Sequence, residues 1–147
     1  MKFRYIFAVI ITFNFTYAYV PKPQIQEIRS DRHEYKKLVN KANEYAMKNQ
    51  IEKSLETAKQ AYKICKNKKD ALLIMARIYN FRKDYKNLRE VAEKIVTISP
   101  KDYLGNIYLA NSYVKIDKTK AKEILLNLSK KYKNDDRILK KLKELNV

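Results

Sequence analysis

Tyr45, Tyr79 and Tyr113 stand 34 residues apart, and Ala42, Ala76 and Ala110 keep the same interval three residues ahead of them. Two residue types recurring at one long period mean that the chain repeats a supersecondary unit, which buries its apolar face only by stacking on its neighbours. Within each copy the Ala and the Tyr are three apart, which places them on one face of a helix. The whole chain of 147 residues holds one Gly and three Pro, so breakers are scarce. A Gly-poor chain rich in Lys, Glu, Leu, Ile and Ala reads as all-α.

The middle copy shows the unit most fully. It runs from Ala71 through Ala76 to Tyr79, turns at Lys83-Asp84-Tyr85, continues from Leu88 to Ile98 and ends at Ser99-Pro100. The first copy repeats it through Leu38, Ala42, Tyr45, the Asn49-Gln50-Ile51 turn, Ala58, Ala61 and Ile64. The third does so through Leu109, Ala110, Tyr113, Ala121, Leu125 and Leu128, one residue short at its turn near Asp117-Lys118. A small residue, an aromatic three further on, a turn pair and a closing proline at a period of ~34 resemble the tetratricopeptide repeat, whereas ankyrin units recur at ~33 and HEAT or armadillo units at ~40–47. The resemblance covers about Tyr35 to Asn134. It implies an α-solenoid of three helix–turn–helix repeats, about 35–68, 69–102 and 103–134. Residues 135–147 are expected to form a capping helix with Ile138, Leu139, Leu142 and Leu145 on one face, started by Asp135 or Asp136.

Some positions depart from the pattern. Leu88 stands where the family prefers a small residue, so the middle pair is expected to splay. Lys41 replaces a large apolar residue, which suits a terminal repeat with one wet face. Ser99 is expected to cap a helix beginning near Lys101, with Pro100 in the linker. Gly105 falls early in the fifth helix, where Gly costs ~1 kcal/mol against Ala.

The first residues are a different material. Lys2 and Arg4 precede an apolar run from Tyr5 to Phe15, and Thr16-Tyr17-Ala18 then offers small residues around a cut after Ala18. That is the layout of a secretory signal peptide, 1–18. The run is shorter than the ~18 clean apolar residues of a membrane span. Two readings stay open: a cleaved signal, giving a periplasmic or secreted protein without a transmembrane span, or an uncleaved anchor that tethers it to a membrane. Residues 19–33, polar and with two early prolines, are expected to form an extended tether whose last residues lead into the first helix.

Charge is lopsided, with 33 Lys and Arg against 16 Asp and Glu and a formal net charge of +17. A basic surface attracts anionic partners. Lys outnumbers Arg by 26 to 7, however, and phosphate recognition favours the planar fork of Arg. Compositional bias and a real electrostatic role remain alternatives. Export counts against nucleic acid as the natural partner.

Catalytic chemistry finds little to work with. One His (His33) and one Cys (Cys65) supply no metal-ligand spacing, and one Gly builds no phosphate loop. Neither an enzyme nor a cofactor or metal is expected. Cys65 reads as a buried small hydrophobe or as an exposed thiol open to intermolecular pairing. Asn127-Leu128-Ser129 has glycosylation spacing but falls inside a helix.

In arrays of this family the first helix of each repeat lines a concave groove. Carried over by the resemblance, the lining is Lys36, Val39, Asn40, Asn43 and Met47, then Asp70, Leu73, Ile74, Arg77, Asn80 and Phe81, then Leu104, Ile107, Tyr108, Asn111 and Val114. Asn40, Asn43, Leu73, Arg77, Phe81, Tyr108 and Asn111 are the candidate partner-binding residues. Asn43, Arg77 and Asn111 are 34 apart and are expected to form a ladder of hydrogen-bond donors. Of the residues with which family members clamp a chaperone carboxylate only Asn43 is present; Val39, Ile74, Leu104 and Tyr108 hold the other places. The expectation is an exported scaffold or adaptor that holds a protein or peptide partner, in cell-envelope assembly or maintenance. The alternative is a basic module adhering to anionic lipid or cell-wall polymer.

Overall fold

A computed structural model describes residues 22–145, and all the regular structure among them is helical. The helices are α1 (Lys22–Met47), α2 (Ile51–Ile64), α3 (Lys69–Phe81), α4 (Tyr85–Ile98), α5 (Tyr103–Tyr113), α6 (Lys118–Lys131) and α7 (Asp136–Leu145). The expected signal peptide and the first tether residues lie outside the described residues, as do the last two of the chain. Each helix packs on the next, and α3 also touches α1 and α5, whereas no contact of that kind joins α2, α4 and α6. Helices α1, α3 and α5 thus form an inner layer and α2, α4 and α6 an outer layer, a solenoid-like arrangement that α7 closes against α6.

Small residues set the helix spacing. Ala42, Ala76 and Ala110 are fully buried. Facing Ala42 is Ser54, whose buried hydroxyl donates to the Ala42 carbonyl at 2.8 Å. Leu88 takes the corresponding place in the second pair and is fully buried, while Ala121 does so in the third. Burying side chains such as Leu72, Leu88, Ile95 and Leu125 contributes about 1.5–3 kcal/mol each.

The turn within each pair hangs on the register tyrosine. Gln50 N–H donates to the Tyr45 carbonyl and Asn49 N–H to that of Ala46; Asp84 and Lys83 repeat the bonds on Tyr79 and Asn80. This double closure needs a left-handed residue, and Asn49 (φ 55°) and Lys83 (φ 57°) supply it. In the third pair Asp117 N–H reaches the Tyr113 carbonyl one residue sooner, and no positive φ is used there. The missing residue of the third repeat is the left-handed one.

A second 34-residue register joins successive pairs. Tyr35, Lys69 and Tyr103 each open the repeat-forming part of an inner helix and reach towards an acidic residue of the next pair. The Tyr35 hydroxyl donates to Asp70 at 3.2 Å and accepts from Ala71 N–H at 3.3 Å. Burial, with the Asp70 carboxylate adding to it, pushes this phenol up to about 12, so it remains a donor at neutral pH. Lys69 pairs with Asp102, and the buried Tyr103 hydroxyl lies by Asp135.

Several details differ from the sequence expectations. From Lys22 onward the stretch expected to be an extended tether is helical, because Pro23 falls in the first turn, where a missing N–H is harmless. Ser99 terminates α4 instead of capping α5. The α5 cap is Asp102, whose carboxylate accepts from Gly105 N–H at 2.8 Å. A Cβ on Gly105 would lie 2.5 Å from Ile95 Cγ2, so this glycine permits the close approach of α5 to α4. At the cap, Asp135 accepts from Arg137 N–H at 3.0 Å. Ile138 is buried and Leu142 and Leu145 pack beside it, whereas Leu139 faces outward. Cys65 is half-buried against the cluster of Tyr35, Ala61 and Ala71.

Candidate partner-binding groove

The inner helices α1, α3 and α5 present two adjoining depressions. The central one, about 300 Å³, is lined by Val39, Asn43, Asp70, Leu73, Ile74, Arg77, Leu104 and Tyr108. The second, about 540 Å³, lies at the C-terminal ends of α1 and α3 and is lined by Asn43, Ala46, Met47, Asn49, Ile51, Arg77, Ile78 and Phe81. Asn43 and Arg77 belong to both. The Arg77 guanidinium donates to Asn43 Oδ1 at 3.3 Å, forming a polar bar between the two depressions, whose other polar lining is Asp70 and Tyr108 in the first and Asn49 in the second.

Five of the seven candidate residues meet here: Asn43, Leu73, Arg77, Phe81 and Tyr108. Asn40 does not, since it turns into a separate depression with His33, Lys36, Lys37, Lys41 and Glu44. Asn111 lines neither trough and donates to Asn80 Oδ1 at 2.9 Å. The expected ladder of donors is therefore partly spent on internal bonds, because residues 34 apart on stacked helices come close enough to pair with each other's neighbours. Ile107 belongs to the core beneath the groove, and Ile74, though it touches the central depression, is also buried.

The second depression has an uncommon surface. Met47 is 86% exposed and Phe81 76%, the same repeat position in the first two copies. Two large apolar side chains flanking one cavity lose free energy to water that a partner would recover. Ala46, Ile51 and Ile78 complete its wall and were missed by sequence reasoning; Met47 and Phe81, 34 apart, were the available signal. Tyr108 has its pKa raised by burial, with Arg77 opposing, so its hydroxyl is a neutral donor beside the guanidinium.

Charge is distributed unevenly. The inner helix α5 has no charged residue, and α3 has Lys69, Asp70 and Arg77 alone. Lys69 and Asp70 are engaged with Asp102 and Tyr35. The outer helix α6 alone carries Lys118, Lys120, Lys122, Lys130 and Lys131. Among the described residues no group of three or more His, Cys, Asp or Glu could hold a metal, and no helix is long and apolar enough to cross a membrane. No protein-family model matches the chain, and no curated protein matches it.

Proposed function

We propose that the chain is an exported scaffold of the tetratricopeptide type that holds a protein partner in the groove of α1, α3 and α5, serving the assembly or maintenance of a cell envelope. The observation that carries this reading is the exposure of Met47 and Phe81 around a cavity bridged by Arg77. A stable monomer has little use for such a pair in water, and helix-lined troughs of this kind accept peptide or helical segments. Export rests on the cationic start, apolar run and small residues before Tyr19.

A photo-reactive residue at position 81 or 47 tests the groove, with the same residue at Glu56 on α2 as control. The expected result is a discrete cross-linked partner from position 81, and from position 47 across the same pocket, but none from Glu56; capture from position 47 is lost in Arg77→Glu/Phe81→Ala while far-UV circular dichroism stays unchanged. Partner capture that survives the double substitution ends the reading. Sequencing the N-terminus of the native protein tests export: a start at Tyr19 supports it.

The depression around Lys36, Lys37 and Lys41 favours a second reading, adhesion to an anionic lipid or polymer, because Glu44 is its only acidic residue. Such binding should collapse between low and moderate salt, as screening shortens to about 10 Å at 0.1 M, whereas apolar seating in the groove should persist.

A further inference from the structure

Along the inner face of α3, Leu73, Arg77 and Phe81 follow one another at four-residue steps, about 6 Å apart along the axis. Leu73 lines the central depression, Phe81 the end pocket, and Arg77 both. The row therefore reads apolar, cationic, apolar. Arg77 is exposed and donates to the neutral Asn43 amide. Among the described residues it makes no ion pair, and the nearby Asp70 is engaged by the Tyr35 hydroxyl. A guanidinium held between two apolar seats selects a carboxylate placed between two apolar side chains. The net charge of +17 attracts acidic partners to the molecule as a whole, and Arg77 is the cation that the groove itself offers them.

The groove also discriminates between backbone conformations. An extended segment needs partners for its own N–H and C=O groups, yet the amide oxygen of the groove lining, Asn43 Oδ1, already accepts from Arg77. A helix satisfies its backbone internally and brings only side chains, and its four-residue step matches that of α3.

Resting on the groove reading above, we propose that the occupant is an amphipathic helix of a partner protein with a large apolar, an acidic and a large apolar side chain at successive four-residue positions. Its carboxylate pairs with Arg77, and its apolar groups seat beside Leu73 and Phe81.

The test pans the full chain against displayed helical peptides of about 20 residues, long enough to hold a helix, in which three positions four apart are randomised. Enrichment of apolar–Asp/Glu–apolar is expected. Arg77→Glu should switch the middle preference to Lys or Arg, and Phe81→Ala should weaken the selected peptide about tenfold or more. Both residues are exposed, and circular dichroism checks that both variants keep the fold. A middle position without charge preference, or one that Arg77→Glu leaves unchanged, overturns the proposed occupant; the groove reading survives if Phe81→Ala still weakens binding. Binding indifferent to both substitutions overturns the groove reading too. Enrichment of no helix overturns the proposal. So does a dimer of the chain that Phe81→Ala dissolves, or cross-linking of position 81 to residues 1–21 of the same chain.

Discussion

From α1 to α4 the main cluster of buried side chains runs from Ala42 through Leu72 and Tyr79 to Ile95, with a small one of Tyr35, Ala61 and Ala71 beside it, whereas α5 to α7 close a separate one around Ile107, Leu125 and Ile138. Between them stands the α4–α5 seam, which is held differently from either interior. Gly105 lets α5 approach Ile95, and Asp102 caps α5 while pairing with Lys69. Asn80 bonds Asn111, and the Tyr113 hydroxyl donates to Glu93 at 3.2 Å. Tyr108 adds apolar contact by packing on the first cluster. A chain that repeats evenly in sequence is thus divided in its core, and the division is bridged largely by close backbone approach and polar pairs.

The largest test of this contrast compares equivalent tyrosines. Tyr79 is 8% exposed and belongs to the first cluster, so Tyr79→Ala should cost about 3–5 kcal/mol in urea unfolding. Tyr45, half-buried with Lys41 and Lys53 over its ring, should lose clearly less. Equal losses would mean that register position, not burial, sets the energy. Gly105→Ala probes the seam itself. Ala gains ~1 kcal/mol of helix propensity, but its Cβ meets the stiff branched side chain of Ile95, and overpacking costs about 1–3 kcal/mol. The expected net loss is about 1 kcal/mol, relieved by Ile95→Leu, which moves the branch off Cβ. A more stable Gly105→Ala would break the idea of a close seam.

The helices, the inner small residues and the closing cap were legible because each depends on periodicity, which a linear sequence displays. Gly105 looked like a defect, because its reason lies on another helix, in the Cγ2 of Ile95. The Tyr35–Lys69–Tyr103 register was equally regular but mixed residue types, so identity alone hid it. Ser54 was overlooked for the same reason, standing where the third copy has Ala121. Asn40 and Asn111 were placed in the groove by their repeat positions. Which way each amide turns depends on the rotation of its helix about the stack and on neighbours such as Asn80. The α5 cap went to Asp102 and not Ser99 because α4 runs to Ile98, leaving Ser99 to end one helix before the next can start.

Acid should weaken the seam in a definite direction. Burial pushes the Asp102 carboxyl up, but its hydrogen bonds to Lys69 and to Gly105 N–H, with the lysine's charge, hold it below the usual carboxylate range. A folded-state value below the unfolded one stabilises the fold at pH above the unfolded value, ~3.9, and that contribution is lost as pH falls through the folded value. Lys69 is partly exposed, so Asp102→Asn, which keeps a capping side chain, should cost only about 0.5–1 kcal/mol at pH 7. The two proteins' urea midpoints should converge below the ordinary carboxylate range. A gap that persists at pH 2 would assign the loss to packing and not to charge.

The smallest effect separates the turns of the first two pairs from that of the third. Lys83 holds φ 57°, where a Cβ is strained and glycine is not. Lys83→Gly should therefore raise stability by about 0.5 kcal/mol, the relief exceeding glycine's greater loss of freedom on folding. Asn49→Gly should gain less, since Asn tolerates the left-handed region. Lys115 lies in the shorter third turn and has no positive φ, so Lys115→Gly has no strain to relieve and should lose about 0.5 kcal/mol. Opposite signs at Lys83 and Lys115 would show that the one-residue deletion changed the turn's backbone chemistry. Matching signs would mean that the three turns respond alike despite their different hydrogen bonds.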